Sequence, residues 1–167
     1  MIRPATPEDL PAILSLVREL AAYEREPDAV TGTLGSYRDC LFPDDGSPTA
    51  WAHVAEVDGE VVGIAVWFLT FSTWTGRNGI WLEDLYVRPE HRGAGLGRAL
   101  LAELARICVE RGYPRLEWTV LDWNTPALEV YRHLGAAPMD EWTTHRLTGD
   151  ALADLAGTAA TGGRRGD

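Results

Sequence analysis

The chain has 167 residues, 46% of them hydrophobic and 24% charged, which suits one globular domain with a core of its own and leaves no room for two. Fifteen Lys and Arg stand against 25 Asp and Glu, a net charge of −10 that argues against general nucleic-acid binding and is compatible with attracting cations. No apolar run reaches the ~18 residues of a membrane span, the opening residues lack the apolar stretch of a signal peptide, and Cys40 and Cys108 form no CxxC pair, so we expect a cytoplasmic protein with no membrane partner, disulfide framework or structural zinc.

Thr6, Pro7, Glu8 and Asp9 read as the start of a helix, with a capping residue, an early proline and acids at its positive end. Leu10, Ile13, Leu14, Val17, Leu20 and Ala21 continue it at helical spacing, and Pro27 is its latest end. Residues 28–48 are rich in turn formers and predict a short second helix with loops. Two strands follow, over 50–57 and 61–71, joined by Asp58-Gly59, a hairpin signal. A loop with Trp74 leads to a strand over 80–87, stopped by Pro89. The turn Arg92-Gly93-Ala94-Gly95-Leu96-Gly97-Arg98 opens a long helix with Leu96, Leu100, Leu101, Leu104 and Cys108 on its apolar face, ended by Gly112 and Pro114. A strand over 115–121 makes this a strand–helix–strand unit, which implies a parallel pair. A third helix runs from Asn124-Thr125-Pro126 to Leu134, closed by Gly135. A strand near 142–148 and a short helix near 150–156 complete a mixed sheet with helices packed on it. Residues 157–167, small and polar, read as a disordered tail.

The glycine turn suggests chemistry. N–H groups at a helix N-terminus lack intrahelical partners and attract phosphate. Gly93, Gly95 and Gly97 clear side chains from that backbone, and Arg92 and Arg98 add charge. The run is neither a P-loop nor a dinucleotide fingerprint, because no G-K-[ST] follows and Arg98 stands where a third glycine belongs.

Arg92-x-x-Gly95-x-Gly97 resembles the coenzyme A pyrophosphate loop of the GNAT superfamily of N-acetyltransferases. Asn124-x-Pro126-Ala127 with Tyr131 and Gly135 resembles its next motif, at the expected distance. Within the superfamily the chain is similar to the diamine (spermidine/spermine-type) N-acetyltransferases over about residues 1–156. That similarity lies in Ile2-Arg3-Pro4-Ala5-Thr6, in Glu19-Leu20-Ala21-Ala22-Tyr23-Glu24 and in Leu82-Glu83-Asp84-Leu85-Tyr86-Val87. It continues in Trp123-Asn124 and in Tyr131-Arg132-His133-Leu134-Gly135-Ala136. The resemblance implies an α/β (α+β) fold with a mixed, mostly antiparallel sheet, one parallel strand pair and flanking helices. It implies a single domain over 1–156, acetyl-CoA as co-substrate, a small amine acceptor and a homodimer. In one place the chain departs from the family: polyamine-acting members carry an acid shortly before the tryptophan matching Trp74, and here Phe71-Ser72-Thr73 precede it. A shorter diamine or a lysine-like amine such as thialysine gains weight accordingly.

The reaction sets clear demands. An alkylammonium of pKa ~10.4 is neutral in only about 1 molecule in 2,500 at pH 7, a gap of roughly 4–5 kcal/mol that a base must offset. Glu83 and Asp84 are carboxylates in an otherwise apolar strand. Adjacent strand residues point to opposite faces, so both serve one site only if a bulge intervenes. By resemblance Glu83 is the base, acting through water, Asp84 and Glu24 face the cationic substrate with Tyr23 and Trp74, and Tyr131 is the acid that protonates the leaving thiolate. By the same resemblance Leu85, Tyr86 and Val87 offer backbone donors to the oxyanion and the coenzyme. Arg92 to Arg98 cradle the pyrophosphate, and Asn124, Pro126 and Ala127 lie along the pantetheine arm. Asn124 is equally a helix cap. The four histidines form no ligand cluster, so no metal is expected. Alternatives are acetylation of a protein N-terminus or lysine, and a non-catalytic acyl-CoA-binding module; filled Glu83 and Tyr131 positions weigh against the latter.

Overall fold

The computed structural model describes residues Met1–Thr161. The chain forms two compact units, Met1–Thr119 and a second that starts at Val120. The first holds a five-stranded sheet in the order β1-β2-β3-β4-β5, with β1 Ile2–Pro4, β2 Trp51–Val57, β3 Glu60–Ser72, β4 Arg77–Val87 and β5 Leu116–Trp118. The first four strands pair antiparallel, and β4 and β5 pair in parallel. Helices α1 Leu10–Tyr23, α2 Leu34–Leu41 and α3 Leu96–Arg111 flank it. The second unit carries α4 Thr125–His133 and α5 Gly149–Thr161.

Local chemistry accounts for most of these boundaries. Asp58 and Gly59 both take positive φ, 51° and 81°, as a type I′ hairpin turn requires. Helix α3 is bounded by left-handed glycines, Gly95 at φ 81° and Gly112 at φ 66°. The first helix opens as a 3₁₀ turn, Pro7–Asp9, with Thr6 as the capping residue of a capping box in which the Asp9 carboxylate accepts from the Thr6 backbone N–H (2.8 Å) and from the Thr6 hydroxyl (3.2 Å). Arg3 holds that carboxylate from β1 at 2.6 and 2.9 Å. Helix α2 appears within the turn-rich 28–48 segment because Thr33 Oγ1 accepts from the Ser36 N–H at 3.2 Å.

The sheet has two covered faces. Ala52, Val54, Ile64 and Tyr86 pack with Leu10, Ile13, Leu16 and Leu20 of α1 and Leu41 of α2. The opposite face carries His53 and Trp67. The Trp67 indole N–H donates to His53 Nδ1 at 3.1 Å, and His53 Nε2 lies 3.8 Å from Glu103 on α3. At the C-terminal end of β4, Arg88 reaches Glu19 of α1 at 3.1 Å and also pairs with Glu60 at the start of β3. One side chain thus fixes the strand end against helix and hairpin.

Four expectations need correction. Strand β1 was not foreseen; with three residues it carries no periodicity of its own and exists by pairing with β2. Strand β5 stops at Trp118 instead of residue 121. Residues 142–148 form no strand: Trp142 and Leu147 stay largely exposed, so their side chains bury too little to offset ordering the backbone. Helix α5 continues past residue 156 to Thr161 through an alanine-rich run, and residues 162–167 of the expected tail lie outside the described residues.

The junction of β2, β3 and β4 is close-packed at Gly63, where a Cβ would stand 3.0 Å from Tyr86 O, 3.0 Å from Val87 Cγ2 and 3.3 Å from Ala55 Cβ. Gly63→Val should therefore destabilise the fold by about 1–3 kcal/mol through overpacking. Urea denaturation measures it, and an unchanged midpoint would show that the junction yields.

Candidate active site

Cross-strand register decides where the β4 carboxylates point. Ala65 pairs with Leu85 and Val66 with Asp84, but Trp67 pairs with Leu82. Glu83 is therefore the extra residue of a β-bulge. Asp84 shares a face with Tyr86, towards α1 and α2, because their partners Val66 and Ile64 both pack there. Glu83 is bound to Trp81, whose indole N–H donates to Glu83 Oε2 at 3.0 Å, and beyond the bulge Trp81 alternates with the α3-facing Leu82. Two consecutive carboxylates thus turn to the same side of the sheet, which a regular strand forbids.

Electrostatics shows what gathers there. Burial first, then the charges of Glu83 and Glu24, push the Asp84 carboxyl up to about 6. Glu24, at the C-cap of α1, is half-buried, and burial raises its carboxyl too. Tyr37 of α2 was not singled out in the sequence. Burial raises its phenol, the Asp84 charge raises it further and Arg18 opposes. Its ring packs on the core and lies 2.7 Å from where a Cβ on Gly32 would stand. Glu24, Tyr37 and Glu83, on three elements, are therefore each near the partly desolvated Asp84 carboxyl. An ammonium beside it would relieve the carboxylate repulsion.

Two further expected members have their own surroundings. Trp74 sits at the tip of the β3–β4 hairpin and is 89% exposed. Six residues separate Ser72 from Val66, the partner of Asp84, a run of about 20 Å along a strand. Tyr23 lies against Arg92, its ring centroid 5.2 Å from the guanidinium carbon.

The second edge of β4 is only partly covered. β5 pairs with Ile80, Trp81 and Leu82 and no further. The Arg88 N–H bonds Val62 O on β3. By antiparallel alternation, Leu85 and Val87 then direct their N–H and C=O groups to the opposite, open edge, and Arg92 Nε donates to Val87 O there at 2.9 Å. The glycine turn follows. Gly93 and Gly95 both have φ 81°, a region that favours glycine, and a Cβ at either would meet nothing within 4 Å. Gly95 caps α3 without a side-chain oxygen, so the first-turn N–H groups remain for an external acceptor. Gly97, Leu96, Ala94 and Arg98 complete the loop and the first turn. The residues fit an anionic phosphate group: open space, a helix N-terminus and two arginines.

In the second unit, Asn124 precedes α4 without a side-chain capping bond, so the capping account of this residue fails. Its backbone carbonyl accepts from the Leu128 N–H at 3.1 Å. Pro126 and Ala127 form the first turn of α4. Burial raises the Tyr131 phenol, so it is protonated at neutral pH. Among the described residues no cluster of His, Cys, Asp and Glu could hold a metal ion, and no helix is long and apolar enough to cross a membrane.

Comparison with known proteins places the chain. The acetyltransferase (GNAT) family model matches residues 14–136. A thialysine N-epsilon-acetyltransferase of Bos taurus is 39% identical, covering 94% of this chain and 97% of its own length. An L-ornithine N5-acetyltransferase of Arabidopsis thaliana is 28% identical over 90% of this chain and 85% of its own. Among solved structures, an integron cassette protein from V. cholerae superposes with a TM-score of 0.77 at 24% identity, covering 93% of this chain and 96% of its own, a likeness of fold.

The raised Asp84 carboxyl has a thermodynamic consequence. The folded state binds this proton near pH 6, against 3.8 for the free group. Its charge therefore opposes folding above pH 6, and that opposition fades as pH falls from 6 towards 4. Asp84→Asn should raise stability at pH 8 by on the order of 2 kcal/mol and leave it unchanged at pH 4. Thermal unfolding at the two values checks this; a gain that persists at pH 4 would assign it to packing.

Proposed function

The chain belongs to the GNAT family of acetyltransferases and is an acyl-CoA-dependent N-acetyltransferase, and from that we propose that it acetylates a primary amine of a short, lysine-like or diamine acceptor such as thialysine or ornithine. The observation that carries this is the convergence of Glu24, Glu83 and Asp84 at one spot of the sheet face. Three carboxylates exceed what one reacting amine needs, and they suit an acceptor that carries a second ammonium. The relatives named for thialysine and ornithine support a short acceptor, as does the missing acid before Trp74. The chain's net charge of −10 also favours approach of a cation.

Acetyl-CoA supplies the acetyl group as a thioester. Arg92, Arg98 and the N–H groups of residues 93–98 hold its pyrophosphate. Leu85 and Val87 donate from the open edge of β4 to the pantetheine amides and to the carbonyl oxygen as negative charge grows, with Tyr86 between them buried in the core. Asn124, Pro126 and Ala127 border the pantetheine arm. Asp84 and Glu24 bind the distal ammonium. Glu83, the exposed carboxylate, takes the proton of the reacting amine through water. The neutral amine attacks the carbonyl and the C–N bond forms; the tetrahedral nitrogen then gives its remaining surplus proton to water, the C–S bond breaks as Tyr131 protonates the departing thiolate, and the Tyr131 phenolate regains a proton from water. The roles of Glu83 and Tyr131 belong to different compact units, and each rests on its own surroundings. The proposal includes a cytoplasmic homodimer of single-domain protomers over residues 1–156. Exposed Phe71 and Trp74 on the hairpin are candidate interface residues, and light scattering tests the mass.

Free thiol released from acetyl-CoA with thialysine, lysine, ornithine, putrescine, spermidine, spermine and a lysine peptide tests the acceptor class. We expect selective turnover of thialysine or a short diamine; preference for the peptide would establish a protein acetyltransferase instead. Tyr131→Phe should lower kcat at least 10-fold with little change in acetyl-CoA affinity, within the ~10²–10⁴-fold reach of general acid catalysis. Unchanged turnover would remove Tyr131 as the acid. Gly95→Asp should abolish coenzyme binding by calorimetry, since it adds a carboxylate and strains φ 81°; equal binding would move the pyrophosphate elsewhere.

A further inference from the structure

Arg92 is held on three sides. Its Nε donates to Val87 O at 2.9 Å. Its guanidinium carbon lies 5.2 Å from the Tyr23 ring centroid and 5.5 Å from that of Tyr86, so phenol rings from the end of α1 and from β4 both flank it. Its own N–H closes the 3₁₀ turn Pro89–His91 by donating to Pro89 O at 3.2 Å. Among the described residues, no hydrogen bond engages Nη1 or Nη2. What remains is a planar two-nitrogen fork, the shape that grips a phosphate bidentately, one residue before the open Gly93 backbone.

An unrestrained arginine loses much rotamer freedom on binding an anion. Here aromatic contact and the carbonyl have removed that freedom beforehand. The Tyr23 ring is itself on a fixed support. The end of α1 is closed by Glu24 N–H to Leu20 O and Glu26 N–H to Ala21 O, both 2.9 Å, around Arg25 at φ 69°. Tyr86 is buried in the core, so one of the two rings that flank Arg92 is fixed by packing.

We infer that Tyr23 is a positioning residue for the coenzyme, holding the Arg92 fork towards the pyrophosphate, and not a wall of the acceptor site. This rests on the assignment of Arg92 to the pyrophosphate. Glu24, the next residue, faces the acceptor cluster, so one turn of α1 serves both substrates with adjacent side chains.

The test measures inhibition constants of coenzyme A and of pantetheine, which lacks the pyrophosphate, against acetyl-CoA, together with the amine KM at saturating acetyl-CoA. Tyr23→Leu should raise the coenzyme A constant about 3- to 10-fold, the range of a cation–π contact, and leave pantetheine and the amine KM unchanged. Tyr23→Phe, which keeps the ring, should bind coenzyme A more tightly than Tyr23→Leu. In an Arg92→Met background, Tyr23→Leu should add nothing. A raised amine KM with unchanged coenzyme A inhibition would overturn the inference and return Tyr23 to the acceptor site. Equal weakening of coenzyme A and pantetheine would reduce Tyr23 to a structural role. Arg92→Met with undiminished coenzyme A inhibition would instead refute the pyrophosphate assignment beneath both.

Discussion

A strand of period two cannot aim neighbouring side chains in the same direction, and the proposed acceptor end of this protein depends on breaking that rule at one residue. Glu83 is inserted between the Val66–Asp84 and Trp67–Leu82 pairs, so the strand changes phase there. Before the bulge, Leu82 stays on the buried face with Trp67; after it, Asp84 and Tyr86 stay on the face with α1 and α2. Both hydrophobic faces are satisfied, and the inserted residue is the one left free for chemistry. The Trp81 indole secures one Glu83 oxygen, leaving the other to water. The remaining carboxylates then fall into place: Asp84 is desolvated under α2, and Glu24 reaches in from the end of α1.

The same strand organises the proposed coenzyme end. β4 is paired on both edges only as far as Leu82. From Glu83 onward one edge is open, and strand alternation turns Leu85 and Val87 towards it. The glycine turn and the N-terminus of α3 lie immediately downstream in the chain. Arg88, tied to Glu19 and Glu60, fixes the strand end from which the turn departs. Bulge, open edge and glycine turn are thus three successive features of a single stretch, residues 83–98. The proposed acceptor carboxylates and the backbone proposed to hold phosphate are positioned together by one strand and its exit.

Much of this was legible because it is local. Asp58-Gly59, the glycines at either end of α3 and the apolar stripe of α1 each act through their own φ or side-chain spacing, and they fall where the sequence puts them. The bulge was legible only as a condition: two adjacent acids in an apolar strand require one, but the register that creates it is set by β3, many residues away. Tyr37 was hidden among the turn formers of 28–48, where only the Thr33–Ser36 cap hints at a helix. Tyr23 and Trp74 were placed by resemblance, which carries residue types better than contacts; the structure puts one under Arg92 and leaves the other at a hairpin tip. The expected strand over 142–148 shows the limit of apolar spacing, since Trp142 and Leu147 remain exposed.

That Glu83 and Asp84 face the same acceptor is the central claim, and thiol labelling measures it most directly. With exposed Cys40 replaced by serine and Cys108 left in the core, Glu83→Cys and Asp84→Cys variants would be reacted with a charged thiol reagent in the presence of coenzyme A, with and without thialysine. The account predicts that both thiols react, position 84 more slowly, and that thialysine slows both. Protection of one position alone, with the other indifferent to the amine, would mean that the two side chains point apart and would contradict it.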